Sequence, residues 1–287
     1  MRALAWCAGL PGPYLRKRLA RVFALRELRA NTKRTRIVRC NLALAGVADP
    51  ALEQRTLEHT AVTLLESLRF WTRSRATNLA AVVKVENAEL LNDAKALGGV
   101  LLIAPHYGNW ELLVQWLATQ GPLSLLYTRG ASPALDTFLR LARERHGVRA
   151  VPADAHGMKP LLKALQRGEL VGITPDQTPD GAGGLWSSFF GQPALTMTLI
   201  HRLAERSGAQ LLLAAAERLP DGTFTIVLAP LPAGMTSDTL QTGIDAMNLA
   251  IEQFVRRDLA QYQWTYKRFK GHRPDGELIN PYWPECY

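Results

Sequence analysis

The sequence predicts an α/β fold, with a mixed and largely parallel central sheet flanked by helices. From about residue 84 onward, short apolar runs alternate with amphipathic segments of helical length. The run at residues 100–104, Val-Leu-Leu-Ile-Ala, is continuously apolar, as expected of a strand that is covered on both faces. Strands that alternate with helices in this way build a sheet between helical layers.

The individual elements follow from apolar periodicity and from the residues that stop it. Two helices come first, at residues 13–29 and 51–75, and Asp49 and Pro50 open the second. Further helices are expected at residues 86–96, 111–119, 133–145, 156–166, 194–206 and 237–259. Strands are expected at residues 100–104, 123–127, 148–151, 170–174, 210–216 and 223–228. The last two strands, joined through Pro-Asp-Gly at 220–222, add antiparallel strands at one edge of the sheet.

Length and composition fit a folded chain with one large domain. The 287 residues are 47% hydrophobic and 21% charged, which provides a sizeable core and argues against disorder. The sequence contains no internal repeat and no linker-like stretch. We therefore expect a basic amino-terminal segment at residues 1–48 and a single α/β domain at residues 49–287.

The charge and the cysteines limit the function classes. A net charge of +9 favours an acidic partner, whether nucleic acid, anionic lipid headgroups or an acidic carrier protein. Cys7, Cys40 and Cys286 are far apart and lack CxxC spacing, so we expect neither a disulfide framework nor a cysteine-based metal site. This usage suits a reducing cytoplasm.

The amino-terminal helix combines an apolar stripe with cations. Leu15, Leu19, Val22 and Phe23 recur at helical spacing, and Arg and Lys fill the flanks. The pattern is typical of a helix that lies in a bilayer interface, and equally of an amphipathic helix packed on a protein core. The apolar stretch at residues 3–10 is shorter than the ~18–20 residues of a spanning helix. We therefore expect a protein that is soluble or lies on a membrane.

A histidine and a glutamate follow the first buried strand. In open α/β sheets, functional residues collect just beyond the carboxyl ends of the strands, and His106 comes directly after the run that Pro105 stops. Gly108 permits a tight turn, and Glu111 falls near the first turn of the next helix. A neutral imidazole can take a proton from an alcohol, and a carboxylate on its other nitrogen stabilises the resulting imidazolium. His106 and Glu111 are therefore candidate catalytic residues.

The spacing of this pair is not diagnostic by itself. His272 also has an acid five residues later, Glu277, yet that segment follows no apolar strand and opens no periodic helix. His106 and Glu111 differ from it by their place between a buried strand and a helix. The alternative for His106 is a structural histidine that caps the helix.

The segment Ala-Pro-His-Tyr-Gly-Asn-Trp-Glu at residues 104–111 resembles the signature of the bacterial late acyltransferases of lipid A biosynthesis, the lauroyl and myristoyl transferases. That family belongs to the lysophospholipid acyltransferase superfamily, which carries a His-x4-Asp/Glu motif. The resemblance continues in ordered blocks at residues 41–42, 127–129, 174–177, 189–191 and 263–270. Several ordered matches weigh more than one hexapeptide, and they imply a glycerolipid acyltransferase-like fold.

The resemblance implies an O-acyl transfer. The family moves a fatty acyl chain from a thioester, on acyl carrier protein or coenzyme A, to a hydroxyl of a lipid acceptor. No metal and no further cofactor are implied. The expected partners are the acidic carrier, the lipid acceptor and an anionic membrane surface rather than nucleic acid. The expected location is the cytoplasmic face of the inner membrane, with peripheral or monotopic attachment.

The resemblance also implies roles for single residues. His106 is the general base on the acceptor hydroxyl, and Glu111 orients it. The residues that it assigns to substrate binding are Asn109, Arg129, Asp176 and Gln177. Arg129 suits a phosphate, with a surface salt bridge as the alternative. Asp176 suits an arginine or a substrate hydroxyl, with a helix or turn cap as the alternative.

The amino-terminal segment departs from the family. Most members begin with a transmembrane helix of about twenty apolar residues, whereas this sequence has the short apolar stretch at residues 3–10 and then the basic amphipathic segment. The acceptor is therefore a lipid A precursor or another amphiphile, such as a lysophospholipid, an ornithine lipid or a glycolipid. Two further alternatives are a hydrolase that uses the same base on water and a non-catalytic basic module that binds membrane or nucleic acid. The sequence has no Gly-x-Ser-x-Gly elbow, which disfavours a covalent serine esterase.

Overall fold

The structure is a computed structural model that describes residues 12–130, 132–154, 157–179, 183–236, 239–272 and 278–287. The apolar stretch at residues 3–10 and the acid Glu277 lie outside the described residues. The chain forms two compact units. The first unit contains Leu64–Thr174 and Arg202–Leu231, and the second contains Tyr14–Thr63, Pro175–His201 and Pro232–Tyr287.

The central sheet lies within the first unit. In chain order, the strands are β1 (Val82–Glu86), β2 (Val100–Ile103), β3 (Leu123–Tyr127), β4 (Val148–Pro152), β5 (Leu170–Ile173), β6 (Gly184–Phe189), β7 (Gln192–Met197), β8 (Gln210–Arg218), β9 (Phe224–Pro230), β10 (Gly271–His272) and β11 (Leu278–Ile279). Seven of them form one sheet in the order β1-β9-β8-β2-β5-β3-β4. Strands β8, β2, β5, β3 and β4 run parallel, while β9 runs antiparallel to β8 and parallel to β1. The predicted α/β class with a largely parallel sheet is confirmed.

The helices alternate with these strands along the chain and also build much of the second unit. They are α1 (Pro13–Ala30), α2 (Lys33–Leu44), α3 (Pro50–Thr72), α4 (Arg75–Leu79), α5 (Ala88–Leu97), α6 (Trp110–Leu117), α7 (Pro133–Glu144), α8 (Met158–Gln166), α9 (Leu199–Ser207) and α10 (Leu240–Val255). Several begin where a polar side chain caps them. At α7, for example, the Ser132 hydroxyl accepts the Leu135 N–H, and Pro133 occupies the first helical position.

Several parts of the chain depart from the predicted pattern, among them helices α2 and α4, which were not expected. Strand β1 was not expected, and it pairs with β9 beyond the predicted strands. The helix expected from residue 194 is wrong over its first turn, because residues 184–197 form the antiparallel hairpin β6–β7 and α9 begins only at Leu199. The hairpin turns at Phe190 and Gly191, whose φ values of 50° and 74° are those of a type I′ turn.

The core of the first unit fixes the start of the loop that carries His106. All four residues of β2 are buried, between neighbours β8 and β5. Side chains from β2, α6 and β9, including Leu102, Leu112 and Phe224, belong to one buried apolar cluster. Each such side chain contributes about 1.5–3 kcal/mol by burial, so β2 is a rigid support for the residues that follow it.

Helix α1 exposes three of the four residues of its apolar stripe, whereas Phe23 is partly buried and lies under the guanidinium of Arg34. The side chains that it buries are Arg16, Ala20 and Ala24. Leu15, Leu19 and Val22 are 49%, 44% and 52% exposed. Among the helices that the structure describes, none is both long and apolar enough to cross a membrane.

Candidate active site

The loop after β2 carries His106 at the carboxyl edge of the parallel strands. Pairing with β5 continues one residue beyond β2, because Ala104 donates its N–H to the Ile173 carbonyl over 2.9 Å. The half-buried His106 ring packs edge-on against Trp110, with ring centroids 5.0 Å apart. Trp110 is the first residue of α6, so the histidine is held between a strand end and a helix start, as the sequence predicts.

Glu111 forms a buried ion pair with Arg143 of α7. The Glu111 side chain is 2% exposed, and Arg143 donates Nε and Nη2 to its two carboxylate oxygens at 3.3 and 2.5 Å. Burial opposes the charge of Arg143, but the charge and hydrogen bond of Glu111 outweigh it and raise the pKa of the guanidinium. Glu111 also lies in the first turn of α6, where the helix dipole favours a negative charge. The carboxylate is therefore firmly held.

The loop between His106 and Glu111 contacts the end of β8. The Tyr107 hydroxyl donates to Glu217 Oε2 over 3.0 Å, and the Asn109 N–H donates to the Ala216 carbonyl over 2.9 Å. Gly108 has a φ of +61°, and a Cβ at this position would lie 2.0 Å from the same carbonyl oxygen. This close approach requires glycine.

Asn109 is fully buried and caps α6. Its Oδ1 accepts the N–H groups of Glu111 and Leu112 at 3.2 and 3.4 Å, and its Nδ2 donates to Glu66 Oε2 at 3.1 Å. Arg218 in turn binds Glu66. The contacts of Asn109 are therefore internal to the first unit, and its assignment to substrate binding stays a prediction.

Arg129 follows β3 at the same carboxyl edge of the sheet. Its side chain is 64% exposed and pairs with Asp154, with 3.3 Å between Nη2 and Oδ2. This is the surface salt bridge that the sequence left open as the alternative. Such exposed pairs contribute little to stability, so the guanidinium remains accessible to an anion.

Asp176 and Gln177 follow β5 along the chain and belong to the second unit. Asp176 is buried beside Tyr262 and Arg268. Burial raises the pKa of the Tyr262 hydroxyl, and the charge and hydrogen bond of Asp176 raise it further. Burial lowers the pKa of Arg268, which donates to the Leu195 carbonyl and to Thr196 Oγ1 at 2.6 and 2.7 Å. Gln177 Nε2 donates to Gln263 Oε1 over 3.3 Å.

The aromatic block around Phe189 is core rather than an exposed flap. Phe189 and Phe190 are buried, and their rings contact Tyr262, Trp264 and Phe269. These two phenylalanines are therefore part of the core of the second unit. Within the described ranges, no cluster of His, Cys, Asp and Glu side chains is arranged to hold a metal ion.

A histidine at the carboxyl edge of a parallel sheet, followed by a held carboxylate in the next helix, is an arrangement in which an imidazole can act as a general base. Comparison with known proteins narrows this class. Residues 3–271 match the family described as Bacterial lipid A biosynthesis acyltransferase. The chain therefore belongs to that family, and it is an enzyme that transfers acyl groups in lipid A biosynthesis.

Individual relatives agree with the family. The chain is 28% identical to the lipid A biosynthesis lauroyltransferase of Escherichia coli, over 87% of this chain and 83% of the relative. It is 26% identical to a lipid A biosynthesis acyltransferase of Haemophilus influenzae, over 89% and 83% of the two chains. It is also 26% identical to the lipid A biosynthesis palmitoleoyltransferase of Escherichia coli, over 72% and 67%.

Sequence reasoning missed the partners that hold the predicted residues. Arg143 lies 32 residues from Glu111, and Glu66 lies 43 residues from Asn109. The available signal was the acid in the first turn of an apolar helix, since a buried carboxylate requires a cation or several donors. That signal does not say which of the chain's many arginines supplies it.

Proposed function

We propose that this acyltransferase moves a fatty acyl chain from acyl carrier protein to a hydroxyl of a lipid A precursor or a related membrane lipid. His106 is the general base and Glu111 its orienting carboxylate. The observation that carries the proposal is the place of His106, half-buried at the end of β2 and five residues before a buried, ion-paired glutamate.

In the proposed reaction, a neutral ring nitrogen of His106 takes the proton of the acceptor hydroxyl as its oxygen attacks the thioester carbonyl. The tetrahedral oxyanion, stabilised by backbone amides or a cation, then collapses and the carbon–sulfur bond breaks. The imidazolium returns the proton to the departing thiolate. The products are the acylated lipid and the free thiol of the carrier.

Glu111 can serve both Arg143 and the imidazole. An ionised carboxylate has about four lone-pair positions, and Arg143 uses one on each oxygen. A bidentate guanidinium holds the carboxylate plane in one orientation, which favours a directed hydrogen bond to an imidazole N–H. We propose that this fixed carboxylate stabilises the imidazolium during proton transfer.

The other site residues are proposed to bind substrate. Arg129 is exposed at the same sheet edge as His106, which suits a phosphate on the donor or the acceptor. For Asp176 and Gln177 we propose an indirect role, because Asp176 is buried beside Arg268 and Gln177 contacts Gln263. Asp176 would then act by orienting Arg268 rather than by direct contact.

We further propose peripheral attachment to the cytoplasmic face of the inner membrane through α1. Leu15, Leu19 and Val22 of the apolar stripe are exposed, and the cations beside them suit anionic lipid headgroups. The net charge of +9 also suits an acidic acyl carrier protein. Exposure of the stripe supports the interfacial interpretation over packing on a protein core.

The test of the proposed function is acyl transfer by purified protein. Acyl carrier protein charged with several chains, including lauroyl and palmitoleoyl, is incubated with lipid A precursor, lysophospholipid, ornithine lipid and glycolipid, and products are identified by mass spectrometry. His106→Ala should abolish transfer while His59→Ala, on α3, retains it. Normal turnover in His106→Ala would refute the proposed base. Transfer only from acyl-coenzyme A would show that coenzyme A, and not acyl carrier protein, is the donor. Transfer only to another amphiphile would show that the lipid A precursor is not the acceptor.

A further inference from the structure

Three buried polar residues, Glu66, Arg218 and Asn109, form a connected trio next to the loop at residues 104–109, which carries His106. Arg218, the last residue of β8, donates Nε to both carboxylate oxygens of Glu66 at 3.0 Å and Nη2 to Oε2 at 2.6 Å. The side chains of Arg218 and Glu66 are 3% and 2% exposed. Glu66 Oε2 also accepts the Asn109 amide, so the ion pair ends on the loop that carries His106.

Asn109 converts this contact into a fixed loop geometry. One end of its rigid amide caps α6 and the other end binds Glu66, and the two ends cannot be exchanged because one faces N–H donors and the other a carboxylate. Glu66 therefore holds the residue that caps α6. The three residues between Pro105 and Asn109 join this held residue to the strand end.

Stability alone does not account for a fully buried ion pair. Removing two charges from water carries a desolvation penalty, and well-packed apolar side chains of similar volume often stabilise as well or better. Here the pair lies directly beneath the loop, and neighbouring residues of β8 bind the same loop through Ala216 and Glu217. The location favours an orienting role.

We propose that Glu66 and Arg218 are positioning residues for acyl transfer, which act through Asn109 to set the place of His106 against β8. The proposal rests on the proposed role of His106 as general base. It predicts that Glu66 and Arg218 affect turnover more than substrate binding, because their contacts lead to Asn109 and to each other.

The main test is the double variant Glu66→Met/Arg218→Met. It removes both charges together and leaves no unpaired buried ion, so it should fold and melt near the wild type. We expect kcat to fall by about tenfold to a hundredfold, with KM for lauroyl-acyl carrier protein and for the lipid A precursor little changed. Glu66→Gln/Arg218→Met keeps an acceptor for Asn109 and no unpaired buried charge, so it should retain much of kcat.

The matched control removes another buried polar pair from the same unit. Asn78 Nδ2, on α4, donates to Gln115 Oε1, in the last turn of α6, over 2.9 Å. Asn78→Leu/Gln115→Leu should keep kcat. Equal losses in the control and in the test variant would overturn the proposal, because they would show a general effect of disturbing the core. Unchanged kcat in the Met/Met variant would overturn it as well.

A second variant and a second measurement decide the case if the Met/Met protein does not fold. Asn109→Ser keeps a helix cap but loses the donor to Glu66. Its His106 should react faster with diethyl pyrocarbonate, measured by mass spectrometry without any substrate, because the released loop exposes the ring. An unchanged rate would overturn the proposal. If His106→Ala retains turnover, the proposed function is wrong. If His106→Ala loses turnover but the variants of Glu66, Arg218 and Asn109 behave like the wild type, only the positioning role is wrong.

Discussion

Replacing Gly108 by alanine should lower the rate of acyl transfer as well as the stability of the fold. The new Cβ would lie 2.0 Å from the Ala216 carbonyl oxygen, and contacts below 3.0 Å must be relieved by movement. Backbone atoms on both sides cannot rotate away, so the loop must retreat by about 1 Å. A displacement of that size at a reacting group costs about a hundredfold in rate, or about 2.7 kcal/mol of transition-state stabilisation. The assay is kcat for acyl transfer beside thermal unfolding.

The control for this prediction is Gly208→Ala. Gly208 has nearly the same backbone conformation, with φ at +66°, but within the described part of the chain nothing lies within 4 Å of the point that its Cβ would occupy. Both variants carry the cost of an L-residue in the left-handed region, about 1–2 kcal/mol. Only Gly108→Ala also displaces the loop. Equal kcat in the two variants would refute the argument that contact with β8 sets the place of His106.

Three further predictions concern other parts of the molecule. Arg143→Met should destabilise the fold by about 3–5 kcal/mol because it leaves the Glu111 carboxylate buried without its cation. Adding Glu111→Gln in the same chain should recover most of that loss. Urea unfolding measures the free energy of unfolding of both variants, and additive losses would contradict the pairing. Burial and the charge of Arg145 lower the pKa of His146 below 6.5, so the folded state favours the neutral imidazole. The contribution of His146 to stability is therefore present above pH 6.5 and is lost as pH falls. The melting temperature should be lower at pH 5 than at pH 7.5, and His146→Gln should reduce that difference in melting temperature. Leu15→Asp should weaken flotation with anionic vesicles while Leu249→Asp, at an equally exposed leucine of α10, does not; equal binding would contradict attachment through α1.

Local signals in the sequence located the elements of the sheet. The predicted strand at residues 123–127 coincides with β3, and the apolar run at 100–104 differs from β2 by one residue. These strands are buried on both faces, so their composition alone marks them. The turn of the β6–β7 hairpin carries no such mark, because Phe190 occupies a position that usually holds Asn or Gly. Its N–H is held by the Glu252 carboxylate over 2.7 Å, and Arg256 lies over its ring. A tertiary contact thus replaces the local preference.

In the candidate site, too, local sequence predicts some residues but not the partners that reach them from other elements. His106 and Glu111 were predictable because a strand end, a glycine and a helix start all lie within one short segment. Arg143, Glu66 and Arg218 were not, because each reaches the site from another element. Ion pairs between distant segments follow no short spacing, and a chain with 34 basic residues offers many possible partners.

The spacing of five between His106 and Glu111 has a physical origin in this fold. His106 must stay near the strand end to reach the carboxyl edge of the sheet, and Asn109 must precede α6 to cap it. Glu111 then falls in the first helical turn, where the dipole and Arg143 both favour its charge. A shorter loop would leave no room for the turn at Gly108 over Ala216, and a longer one would move the carboxylate out of that turn. The spacing of five therefore combines a buried strand end, a turn at glycine and a capped helix start in one short segment.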